Sequence, residues 1–299
     1  MTGSHVIVTG ASGLIGRATV AALAAGGHRV TALSRRGAPV PGADSVIACD
    51  LLDPAATGRA VSAAAASHLV HLAWADGRDR WTSPDNDRFA AALPGLLAAF
   101  AAAGGRRALC AGSCAEYDWS AMPLSETTPL RPASPYGRAK ARAFALATDS
   151  AMALGLSLAW ARPFFVYGPG EPQGRLIGDL VRGLRAGQTV DCTDGSQRRD
   201  YLFSADLGQA MALLLDSPHQ GPMNLASGQA LQVRALIDEV AFQTGRAELV
   251  RLGARPRPPG DPDEVRADIA LATRTLGFRP RYDLRAGIAA LLAAERVAA

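Results

Sequence analysis

Paired cysteines are missing from this chain. The four it has, Cys49, Cys110, Cys114 and Cys192, show no CxxC spacing. That argues against a zinc site or a disulfide framework, leaves small buried packing residues as their expected role, and no metal ion is expected. Also missing is an apolar run near the roughly 20 residues that span a bilayer. The first residues enter a strand without a basic segment and an apolar stretch ahead of it, so the expected location is cytoplasmic, with no membrane partner. A dense basic face is absent as well. The net charge is +4, and the one close group of arginines, Arg251 to Arg257, is broken by prolines, so no nucleic-acid partner is expected. What is present is 48% hydrophobic and 19% charged residues over 299 positions, enough core for one large or two modest domains.

Strand-like runs alternate with alanine- and leucine-rich helical stretches through the first half. Strands are predicted at His5 to Thr9, Arg29 to Leu33, Ser45 to Ala48, His68 to Ala73, Arg107 to Ala111 and Ser157 to Ala161. Helices are predicted between them, notably Leu14 to Ala25, Asp85 to Ala103 and Pro135 to Ala153. Strands joined through helical crossovers imply an α/β fold with a parallel sheet covered on both faces. After Arg162-Pro163 proline and glycine become frequent, and helices near Leu176 to Ala186, Asp206 to Leu215 and Val233 to Gln243 stand among short strands. The division expected is 1–166 for the first domain and 167–299 for a smaller region closing over it, with a segment near 200–215 returning to the first.

The strand His5 to Thr9 runs into Gly10-Ala11-Ser12-Gly13-Leu14-Ile15-Gly16, and Leu14 opens a helix. Glycines at such a turn let the backbone approach a pyrophosphate, whose charge then sits at the helix N-terminus. The turn is therefore read as a nicotinamide dinucleotide site. At the end of the second strand an NAD site usually carries Asp or Glu for the ribose 2′-hydroxyl. Here the residues are Ser34-Arg35-Arg36. No carboxylate repels a 2′-phosphate, and two guanidiniums can pair with it, so NADP(H) is expected over NAD(H).

Ser134 and Pro135 are suited to the N-cap and first position of a helix that places Tyr136 and Lys140 four apart on one face. A phenol near pKa ≈ 10 becomes a useful acid-base group when a neighbouring ammonium stabilises its anion.

The ordered segments TGASGLIG at 9–16, HLAW at 71–74, GSCAEY at 112–117, YGRAK at 136–140, RPFFVYGPG at 162–170, QRRDYLFSADLGQA at 197–210, NLASGQ at 224–229 and LGFRP at 276–280 span nearly the whole chain. With them the chain resembles the extended short-chain dehydrogenase/reductases of the NAD-dependent epimerase/dehydratase, or nucleotide-sugar, branch. The resemblance implies a Rossmann-type doubly wound parallel sheet with a smaller C-terminal α/β substrate-binding region. It implies Tyr136 as proton donor or acceptor, Ser113 as the hydroxyl that bonds the reacting oxygen, and Lys140 as the group that binds the nicotinamide ribose and lowers the tyrosine pKa. It places Gly10, Ser12, Gly13, Leu14, Ile15, Gly16, Asp50, Leu51, Leu72, Ala73 and Pro163 around the dinucleotide. It gives Arg199 to a substrate diphosphate and Asp261 to a nucleoside ribose, although the arginine expected three residues before Asp261 is Pro258, with Arg257 adjacent. The family's asparagine near the start of the Asp85 helix falls on Phe89, with Asn86 three residues earlier. A homodimer formed through that helix and the Pro135 helix is implied too.

Departures from the family pattern narrow the reaction. The 4,6-dehydratases follow the catalytic hydroxyl with Asp-Glu; here those positions are Cys114 and Ala115, which disfavours elimination. The 3,5-epimerising reductases carry a cysteine two residues after the serine, and Cys114 is one step out of register, so it is read as packing. Two reactions are left: NADPH-dependent reduction of a nucleotide-linked 4-keto-6-deoxyhexose, favoured by Ser34-Arg35-Arg36, and 4-epimerisation with retained NAD. A non-nucleotide carbonyl substrate and a catalytically silent dinucleotide sensor stay as alternatives of other kinds.

Overall fold

The computed structural model describes residues 3–75, 77 and 79–297. The chain runs β1 (His5–Thr9), α1 (Leu14–Ala25), β2 (Arg29–Ser34), β3 (Ser45–Ala48), α2 (Pro54–Ala64), β4 (His68–His71), α3 (Asp85–Ala102), β5 (Arg107–Ala111), α4 (Pro135–Leu154) and β6 (Ser157–Pro163). It continues through β7 (Phe165–Tyr167), α5 (Leu176–Arg185), β8 (Val190–Asp191), β9 (Arg198–Phe203), α6 (Ser204–Asp216), β10 (Gly221–Leu225), β11 (Ala230–Gln232) and α7 (Val233–Thr244). It closes with β12 (Val250–Arg251), β13 (Glu264–Val265), α8 (Ala270–Leu276) and α9 (Leu284–Val297).

The main sheet has seven strands in the order β10-β6-β5-β4-β1-β2-β3, and every pair in it is parallel. The order reverses between β1 and β4, so the loops after these strands diverge and open a crevice at their carboxyl ends. Parallel strands covered on both faces must be apolar on both, and Val6, Ile7 and Val8 of β1 are all fully buried. One face packs with α1 and α6, the other with α2, α3 and α4. The expected strand at His68 to Ala73 ends at His71, because Leu72 and Ala73 turn off to donate their N–H groups to Thr9 Oγ1 at 3.1 and 3.2 Å. The last strand expected of the first half extends to Pro163.

Beyond β6 a third core gathers α5, α7 and α9 around Leu180, Leu236 and Leu291. Its strands form a small sheet in which β9 pairs with β7, β11 and β13. After β9 the chain returns to the main sheet: α6 lies on α1, and β10 adds the strand next to β6. The glycine at 208 permits this contact, since a Cβ there would sit 2.3 Å from Ala18 O. Among the described residues no helix is long and apolar enough to cross a membrane.

Candidate active site

A cleft of about 560 Å³ lies at the carboxyl ends of β1, β2, β4 and β5 and reaches the segment between β7 and α5. At one end is the glycine turn. Gly10 has φ +65°, and a Cβ on it would meet Ala73 N at 2.7 Å; on Gly16 it would meet Gly10 O at 2.1 Å. The turn is thus pressed against both β4's exit and itself, and side chains at those positions would displace backbone. Gly13 caps α1 without a side-chain acceptor, which leaves the first-turn N–H groups to an anion. This cradle fits a dinucleotide pyrophosphate.

Ser12, Gly13, Leu14, Ile15, Ser34, Arg35, Asp50, Leu51, Leu72, Ala73 and Pro163, the residues the sequence reading gave to a cofactor, all stand in the wall of this one cleft. Arg36 does not; it is exposed in the turn after β2. Ser34 Oγ is buried with no hydrogen-bond partner, a hydroxyl aimed at nothing the protein provides. Asp50 does not cap α2. Asp53 does, accepting from Ala55 N and Ala56 N at 2.9 and 3.1 Å, while the Asp50 carboxylate accepts the N–H of Leu52.

Toward the middle of the cleft Ser113, Tyr136 and Lys140 come together in its wall. Ser134 caps α4 by accepting Gly137 N at 3.0 Å and Pro135 fills the first helical position, so the register of Tyr136 and Lys140 follows from local sequence. Burial pushes the Tyr136 phenol up to about 12, opposed by a hydrogen bond from Ser113 and the charge of Arg175. Lys140 is 3% exposed. Its ammonium donates to Ala111 O at 2.7 Å and lies 3.6 Å from the centre of the Trp74 ring. Desolvation brings its pKa down to about 7, with Glu116 and Cys110 pulling it back upward. Trp74 is held in turn by its indole N–H donating to Asn86 Oδ1 at 2.8 Å and by stacking on Phe89.

Sequence reasoning missed what fixes Ser113. Glu116 is fully buried, and its Oε1 accepts the Ser113 N–H at 2.7 Å. Its Oε2 takes Arg162 Nε at 2.7 Å, and Trp160 Nε1 donates to the same carboxylate. Arg162 also donates to the Tyr117 hydroxyl, which donates to Asn224. The signal was legible: Ser113-Cys114-Ala115-Glu116 is a capping box, with the Ser113 hydroxyl accepting Ala115 N at 3.2 Å. Cys114 is 5% exposed and desolvation raises its thiol pKa, in keeping with packing.

At the far end the wall carries Arg80, Trp81, Phe165, Glu171, Arg175 and Tyr201, none of which was named as a site residue from the sequence. Arg199 and Asp261 do not reach the wall. They meet each other instead, Arg199 Nη2 donating to Asp261 Oδ1 at 2.5 Å. Asp200, the other acid beside Arg199, is satisfied by Ser227, Gly228 and Ala267.

Residues 6–226 match the model of the NAD dependent epimerase/dehydratase family. Among curated proteins, the putative UDP-arabinose 4-epimerase 4 of Arabidopsis thaliana is 28% identical over 93% of this chain and 73% of its own. The dTDP-4-dehydro-6-deoxy-D-allose reductase of a Streptomyces species is 32% identical over 45% of this chain and 42% of its own. Among solved structures, MoeE5 in complex with UDP-glucuronic acid and NAD superposes with a TM-score of 0.88 at 31% identity, covering 99% of this chain and 100% of that one. The Thermus thermophilus UDP-glucose 4-epimerase in complex with NAD gives 0.88 at 25% identity, covering 99% and 100%. The chain therefore belongs to the NAD-dependent epimerase/dehydratase family, enzymes that modify nucleotide sugars on the extended short-chain dehydrogenase/reductase fold.

Proposed function

We propose that this enzyme reduces the ketone of a nucleotide-linked keto-sugar with NADPH. The observation that carries the reductive reading is the end of β2, where Ser34, with its unpartnered hydroxyl, and Arg35 line the cleft at the place an NAD site fills with a carboxylate. Arg36 stands beside them on the exposed turn. A site that favours a 2′-phosphate suits a reductant that arrives reduced and leaves oxidised. The nicotinamide, when bound, supplies the hydride.

The chain's own groups do the rest. Tyr136, kept protonated by its burial, donates its phenolic proton to the oxygen as alkoxide charge develops. Ser113 holds that oxygen, and Glu116 holds Ser113. The Lys140 ammonium stabilises the tyrosinate left behind and offers its remaining N–H groups to the cofactor ribose. The region 167–299 selects the substrate, and the match to a reductase named for a 4-dehydro-6-deoxy sugar supports a 4-keto-6-deoxyhexose. A homodimer formed through α3 and α4 belongs to the same reading.

A second reading is 4-epimerisation with retained NAD. The breadth of the epimerase matches favours it, since they run over 93% of the chain where the reductase match covers 45%. Incubation with a panel of nucleotide-linked 4-keto-sugars and NADPH, followed by product identification, tests the proposal: an alcohol formed at the keto carbon supports it, and no product from any member contradicts it.

A further inference from the structure

Lys140 is the one lysine in the chain; every other member of its Lys and Arg set is arginine. A buried ammonium is costly unless its surroundings compensate the charge. Lys140 is buried in the cleft wall, and of its three N–H donors one goes to Ala111 O at 2.7 Å. The carboxylate that acts on it, Glu116, is committed to the Ser113 N–H and to Arg162. Among the described residues no carboxylate lies within ion-pair distance of Lys140. What faces the ammonium closely is an aromatic ring. Its Nζ stands 3.6 Å from the centre of the Trp74 indole, well inside the roughly 6 Å over which a ring quadrupole attracts a cation. The Tyr136 ring is farther, at 6.0 Å.

Trp74 is itself held in place from α3. Its indole N–H donates to Asn86 Oδ1 at 2.8 Å, and Asn86, 2% exposed, donates in turn to Arg80 O at 2.7 Å. Phe89 stacks on the indole with ring centres 5.9 Å apart and planes 29° from parallel. Asn86 and Phe89 are three apart on the helix and so share a face. Thus α3 fixes the indole, α4 carries the ammonium and β5 supplies the carbonyl. The titratable groups that face Lys140 are His71 on β4, Cys110 on β5, Glu116 after β5 and Tyr136 on α4. Burial brings His71 down to about 3 and pushes Cys110 and Tyr136 up to about 12, so these three keep one charge state through neutral pH.

We propose that Trp74 is a positioning residue, whose indole face holds the Lys140 ammonium beside Ala111 O and keeps it charged inside the cleft wall. The proposal deepens the role given to Lys140 above, and it rests on that role only for its effect on the rate.

A single lysine makes the test direct, because intact protein carrying isotope-labelled lysine gives one side-chain NMR signal that can be followed with pH. In wild type the Lys140 Cε signal is expected upfield of a free lysine's, displaced by the indole ring current, with a midpoint at about 7. Trp74→Leu keeps an apolar neighbour but removes the ring face. The displacement should vanish, and the midpoint should move down by about one pH unit, a tenfold change in the proton equilibrium. Trp74→Phe, which restores a weaker ring face, should lie between the two. A wild-type signal without the displacement overturns the placement, even if the leucine variant does not fold. A midpoint at or above the wild-type value in Trp74→Leu, shown folded by circular dichroism, overturns it too. The fall in reduction rate with pH should shift with the amine. A shifted amine midpoint with an unshifted rate profile upholds the placement and overturns the use of the Lys140 charge in the reduction.

Discussion

Glu116 accepts the backbone N–H of Ser113 with one oxygen and Arg162 Nε with the other, both at 2.7 Å, in a pocket where Glu116 is 0% and Arg162 1% exposed. Removing one partner of such a pair leaves an uncompensated buried charge, at a cost of about 3–5 kcal/mol. Glu116→Ala is therefore expected to lose stability of that order in chemical denaturation. In Glu116→Gln, where the shape is kept, kcat should fall with little change in KM for NADPH, because the Ser113 loop loosens and the cofactor cradle does not. Unchanged stability in the alanine variant would show that the pair is not what holds this loop.

Tyr136 is the proposed proton donor, so Tyr136→Phe should lower kcat by about 10²–10⁴. The ring, its edge contact with Trp81 and the helix register are preserved. NADPH affinity, measured by titration, should stay as in wild type. Turnover that survives the substitution would move the acid elsewhere.

At the end of β2 Arg35 lines the cleft and Arg36 does not. Arg35→Ala is expected to reduce the preference for NADPH over NADH by about tenfold, and Arg36→Ala by less. Steady-state kcat/KM with each reductant reads this directly. Equal ratios in wild type and the Arg35→Ala, Arg36→Ala double variant would mean that these arginines do not recognise a 2′-phosphate.

Lys140 gives the pH dependence. Its pKa is lowered to about 7 by burial, so its ammonium is present below that pH and lost above it, while the phenol of Tyr136 stays protonated until about 12. The rate of reduction at saturating NADPH should fall as pH rises through about 7, and Lys140→Met should be slower throughout with that descent gone. A profile flat from about pH 6 to about pH 9 would contradict a charged Lys140 in the rate-limiting state.

Much of this architecture was legible because it rests on local rules. The Gly10-to-Gly16 turn, the Ser134-Pro135 start of α4 and the strands of the first half need only backbone freedom, capping and apolar runs, and each is found at or within a few residues of its expected place. The return of α6 and β10 to the main sheet is a matter of long-range packing, and the sequence marked only its first half. The far end of the cleft was least legible. Arg80 and Arg175 sit 95 positions apart in chain order, in loops without periodicity, and come onto one cleft wall only in the folded chain. Arg199 shows the converse: its motif was plain, but whether the guanidinium faced the cleft depended on Phe165 and Asp261, which the motif does not contain.

The central claim is a net reduction, and the amount of NADPH consumed per sugar converted tests it most directly. With a nucleotide-linked 4-keto-sugar as substrate, the account predicts one NADPH oxidised for each hydroxy-sugar formed, and no conversion without added reductant. Interconversion of two hydroxy-sugars by the purified protein with no NADPH added and none consumed would contradict it and establish the epimerase reading instead.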